Sequence, residues 1–169
     1  MLERLDKGHT RADFLAVVEL FRDAGLVLQP TFVPFTPWTT LEGYAELLGV
    51  LHEHGLVENV PPIQLGIRLL IPAGSRLLEL AEVRELVAPF DEAALFYPWR
   101  HPDPRLDALC EDVQELVRVG DKLNRSRAQT FERIWRASAA AEGFERAQWL
   151  EPALVSRATI PYLNEPWYC

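Results

Sequence analysis

Between Thr10 and Ile71 the chain writes one pattern twice, a capped helix followed by an apolar extended run. No other feature narrows the choice of fold so much. Thr10 stands before Arg11 as a good N-cap, and Asp13 is placed to reach back as a weak capping box. Phe14, Val17, Val18 and Phe21 fall at i, i+3, i+4 and i+7 and build one apolar helix face. Gly25 then supplies the left-handed residue that commonly ends a helix. The run from Leu26 to Phe35 follows, of strand length and composition, although Pro30 and Pro34 each remove a ladder donor and interrupt it. The second copy opens on Thr39-Thr40-Leu41-Glu42, a T-x-x-E capping box, and repeats the face with Tyr44, Leu47, Leu48 and Leu51. Both helices end in Gly-Leu-Val, at Gly25 and Gly55, 30 residues apart. A second strand is predicted from Ile63 to Ile71, bounded by Pro61-Pro62 and Pro72. Helix–strand–helix–strand at this period predicts an α/β fold with parallel strands and crossover helices.

The second predicted strand has two unlike faces. Ile63, Leu65, Ile67, Leu69 and Ile71 share one side; Gln64, Gly66, Arg68 and Leu70 share the other. The apolar side should meet the covering helices. The opposite side suits a lumen or cleft, with the alternative that Arg68 pairs with a nearby carboxylate. In parallel folds ligands bind beyond the C-terminal ends of the strands. Those ends are Thr36-Pro37-Trp38-Thr39 and Pro72-Ala73-Gly74-Ser75. Thr36, Trp38, Gly74 and Ser75 are therefore candidate ligand residues, together with Gln64 and Arg68 on the polar face. Two parallel strands cannot cover their own faces. Either the segment near Leu95 to Tyr97 adds a strand, or partner strands lie outside this chain.

From Ser75 the character turns helical. Leu77 to Val87 predicts a helix of about three turns, and an irregular aromatic segment runs from Phe90 to Trp99. Asp103-Pro104 starts a further helix, an N-cap with proline at the first helical position. Its face is Leu106, Leu109, Cys110, Val113, Leu116 and Val117; Gly120 predicts a break, after which helix resumes to about Ala141. Gly143 ends that stretch, a short helix is expected near Glu145 to Leu150, and the tail from Pro152 reads as irregular. The predicted division is 1–80, 81–150 and 151–169.

Seventeen Lys+Arg against 25 Asp+Glu give a net charge of −8, which argues against a nucleic-acid partner. The longest run free of charge, Ala24 to Leu41, is 18 residues but is broken by Pro30, Pro34 and Pro37, so no membrane-spanning helix is expected. The opening residues Met1 to Lys7 lack the apolar stretch of a secretory signal. Two cysteines separated by 58 residues give neither a disulfide framework nor a metal-ligand spacing, which suits the cytoplasm. No nucleophile elbow, Gly-rich phosphate loop or H-E-x-x-H zinc pattern is present. His52 and His54 diverge by about 200° on a helix and read as structural. His9 and His101 are isolated beside loops, and Cys110 reads as a small core residue. Trp99 and Trp167 could stack on a ligand, although packing is the commoner use of such residues.

Asp6-Lys7-Gly8-His9-Thr10, a helix, and then a strand ending Phe35-Thr36-Pro37-Trp38-Thr39-Thr40-Leu41-Glu42 resemble the second half of a radical S-adenosylmethionine (SAM) barrel. Pro37, Thr40 and Glu42 match that superfamily's G-x-P-x-x-T-x-E, with Phe35 where glycine is usual. Pro72-Ala73-Gly74-Ser75-Arg76-Leu77 is similar to its P-x-G-T/S-x-L. The ending Asn164-Glu165-Pro166-Trp167-Tyr168-Cys169 resembles a subgroup with a Cys-selenocysteine-Ala-Glu-Pro or Cys-Cys-Ala-Glu-Pro tail, up to its first cysteine. That implies a redox role for Cys169 and a UGA codon after it. The resemblance implies a partial TIM-like barrel over residues 1–80 with a helical extension behind it. It also implies S-adenosylmethionine and a [4Fe–4S] cluster as cofactors of the intact protein, a small-molecule or peptide substrate, and the missing barrel half as partner. The superfamily's C-x-x-x-C-x-x-C, whose thiolates hold the cluster, is absent here. The chain alone is therefore expected not to cleave S-adenosylmethionine. A non-catalytic helical binding or regulatory protein is the alternative.

Overall fold

The computed structural model describes Leu5 and residues 7–144. Five α-helices dominate it: α1 Arg11–Asp23, α2 Leu41–Glu53, α3 Ala81–Leu86, α4 Pro104–Lys122 and α5 Arg127–Ala141. Both helices of the repeated pattern form, but the expected Thr39–Glu42 capping box does not: Thr40, not Thr39, is the N-cap of α2. Thr10 accepts from the Asp13 amide while Asp13 returns a bond to the Thr10 amide, and Thr40 accepts from the Gly43 amide at 3.0 Å. Gly25 and Gly55 take φ +65° and +64°, a conformation that L side chains resist. The amides of Leu26 and Leu56 then reach back to the carbonyls of Phe21 and Leu51, closing both helices alike. Asp103 caps α4 with Pro104 at its first position, as the sequence requires. The break after α4 falls at Asn124 (φ +50°) rather than at Gly120, which stays helical.

The expected α/β half barrel is overturned: among the described residues there is no strand, sheet or barrel. What survives of the two predicted strands is one isolated parallel bridge, Phe35 to Arg68, made by the Phe35 amide on the Ile67 carbonyl (3.2 Å) and the Leu69 amide on the Phe35 carbonyl (2.8 Å). The reason lies in the prolines and in the lack of neighbours. Pro34 brings no donor beside the bridge, and Pro61-Pro62 turns Pro62–Gly66 into a 3-10 helix in which the Gln64 amide reaches the Pro61 carbonyl. A single parallel pairing without flanking strands has nothing on which to propagate. The aromatic segment adds bridges rather than a strand: Phe96 meets Pro72 and Asp91, and Trp99 meets Val87, all antiparallel. The predicted helix over Leu77 to Val87 is likewise split into a 3-10 turn Arg76–Glu79 and α3, with Leu80 extended between them.

Two apolar clusters hold these elements. The larger gathers Leu48 and Leu51 of α2, Leu65, Leu106, Leu109, Cys110 and Val113 of α4, and Phe131 and Ile134 of α5. Burial of each such leucine or phenylalanine is worth about 1.5–3 kcal/mol of transfer free energy. Helix α1 joins it mainly through buried Val18, with Phe14 edge-on to Phe32 at 6.0 Å. The smaller cluster is Ile71, Val83 and Trp99, with Trp38, Leu69, Leu77 and Tyr97 packed against it. Helix α4 packs on α5 and on Pro62–Gly66, and α5 packs on α2. No described helix is long and apolar enough to cross a membrane.

Candidate functional site

The turn between the bridge and α2 is knotted by hydroxyls. Thr39 Oγ1 donates to the Pro34 carbonyl (2.7 Å), accepts from the Thr36 amide (3.0 Å), and lies 3.0 Å from Thr36 Oγ1. The Thr39 amide in turn donates to the Thr36 carbonyl. Thr36 is consequently 0% exposed: its hydroxyl organises the turn and presents no face to solvent. Trp38 packs on the smaller cluster. Within that turn Thr39 occupies the backbone groups on the edge facing away from Arg68, where a further strand would pair.

Arg68 follows the 3-10 turn Pro62–Gly66 and is held on three sides. Its NH1 donates to Asp107 Oδ1 (2.7 Å), its NH2 donates to the Trp99 carbonyl (2.7 Å), and its guanidinium carbon stands 3.7 Å from the centre of the Trp99 ring. The Trp99 indole N–H donates to the Leu69 carbonyl (2.8 Å), so the ring is fixed against the same segment. Asp107 also accepts the His101 amide at 3.2 and 3.1 Å on its two oxygens. His101 Nδ1 lies 2.9 Å from the Asp103 amide and 3.1 Å from the Asp103 carbonyl, while Nε2 is a buried atom with no hydrogen-bond partner. Planar stacking with one donor on a carboxylate and a second on a carbonyl suits a guanidinium and would not suit a lysine.

The polar face of the second segment is covered by α4. Gln114 Nε2 donates to the Gly66 carbonyl (3.0 Å), and a Cβ on Gly66 would lie 3.3 Å from Gln114 Cγ, a tight approach that would require the Gln114 side chain to give by a few tenths of an ångström. Gln64 Oε1 accepts the Phe32 amide (3.2 Å), which ties the two extended segments together. Gly74 sits in an exposed turn at φ +76°, and Ser75 Oγ accepts the Leu77 amide (3.3 Å) as the cap of the following 3-10 turn. The structure thus gathers Thr36, Trp38 and Arg68 near the bridge, whereas Ser75 serves its own turn. Cys169 lies outside the described residues. Asp107 escaped the sequence reading because its partner is 39 positions away and nothing local marks it; Trp99 was visible only as part of an aromatic cluster.

Burial pushes the Cys110 thiol up, against an opposing pull from nearby Arg68, and burial pushes the Tyr44 phenol up as well. Tyr44 donates to the Leu65 carbonyl at 3.0 Å and stays a neutral core strut. Among the described residues no three of His, Cys, Asp or Glu stand together as metal ligands. The described residues do not fit a [4Fe–4S] cluster, because their one cysteine is a buried member of the larger core. No family model, curated protein or solved structure matches the chain.

Proposed function

We propose that the chain is the C-terminal portion of an enzyme that reductively cleaves S-adenosylmethionine, with the cluster carried by polypeptide outside this sequence. The observation that supports it is the passage Phe35–α2–Arg68. One parallel bridge, Phe35 to Arg68, spans α2, and the motif residues Pro37, Thr40 and Glu42 follow its first residue at once. The part played by this chain is to position: Thr39 fixes the turn after Phe35, and Asp107 with Trp99 fixes Arg68. No step of the cleavage is assigned to its side chains.

A second reading, a helical binding module without catalysis, draws support from the absence of strands among the described residues. One experiment separates the two. The chain is expressed joined to the coding sequence upstream of it, reconstituted anaerobically with iron and sulfide, supplied with S-adenosylmethionine and dithionite as the electron donor, and assayed for cluster absorption and 5′-deoxyadenosine. Formation of both upholds the first reading. An upstream frame without C-x-x-x-C-x-x-C, or a loaded cluster that yields no 5′-deoxyadenosine, upholds the second.

A further inference from the structure

No further inference is drawn: the strongest candidate, the buried Nε2 of His101 beside the Arg68–Asp107 pair, is a single ring nitrogen with no second observation that points to a ligand, and among the described residues no three of His, Cys, Asp or Glu gather there to hold a metal.

Discussion

Gly120→Ala tests the packing that positions α4 against the bridge. Gly120 lies within α4 and faces Thr130 of α5. A Cβ there would stand 2.7 Å from Thr130 Oγ1 and 3.3 Å from its Cγ2, with Thr130 Cβ at 3.6 Å. Two effects compete. Alanine gains about 1 kcal/mol of helix propensity over glycine. The overlap costs more, because Thr130 is buried, a turn of its side chain only exchanges one γ atom for the other, and the helices must part; overpacking of this kind costs about 1–3 kcal/mol. The net expectation is a loss of about 1 kcal/mol, which lowers the thermal midpoint by roughly 2–4 °C in a chain of this length. The sign should reverse in a Thr130→Ala background. There the γ atoms are gone, the remaining 3.6 Å approach is ordinary contact, and propensity alone acts. Urea unfolding of the four variants measures this as a coupling of about 1–2 kcal/mol. A stabilising Gly120→Ala in the otherwise unaltered chain, or the same sign in both backgrounds, would refute the reasoning.

Asp107→Ala should cost about 2 kcal/mol by loss of a charge-assisted bond, held to that because Arg68 is 25% exposed and regains water; urea unfolding reads it, and near-ultraviolet circular dichroism should change as Arg68 loosens over Trp99. Ser138→Ala should be neutral or stabilising by up to about 1 kcal/mol, since its buried hydroxyl has no hydrogen-bond partner; a loss above that in thermal unfolding contradicts the unsatisfied hydroxyl. Thr10, through its hydroxyl and then its amide, holds the Asp13 carboxyl below its ordinary value, so the cap contributes stability above the unfolded value near 3.8 and loses it as pH falls through the lower folded value. Carbon-detected NMR titration should place the Asp13 midpoint below 3.8, and Thr10→Ala should raise it. Cys110, buried and with its thiol pushed up, should react with iodoacetamide in a Cys169→Ser background only at the rate of opening of the core. Reaction at the speed of a free thiol would contradict that burial.

Much of this fold could be read from local chemistry. Thr10, Thr40 and Asp103 set helix starts through one or two hydrogen bonds close in sequence, and Gly25 and Gly55 set ends through their φ. Such signals sit within a few residues and survive whatever the tertiary context does. The segment Ile63 to Ile71 shows where local reading stops. Its alternation is that of a strand, yet Pro61-Pro62 starts a 3-10 turn and no neighbouring strands reward extension. Arg68 was visible as a charge that needed a partner, but which carboxylate answers it depends on where α4 lands, and that is settled by Leu106, Leu109 and Val113 meeting the core.

The two Gly-Leu-Val ends carry the distinction furthest. Their backbone conformations agree, and so do their closing hydrogen bonds to Phe21 and Leu51. Leu56 nevertheless is 2% exposed and Leu26 is 61% exposed. Identical local instruction has produced identical local structure and opposite burial, so burial here is a property of what lies alongside. The second repeat has α1 on one side and α5 packed on its helix; among the described residues no helix packs on α1 to a like extent.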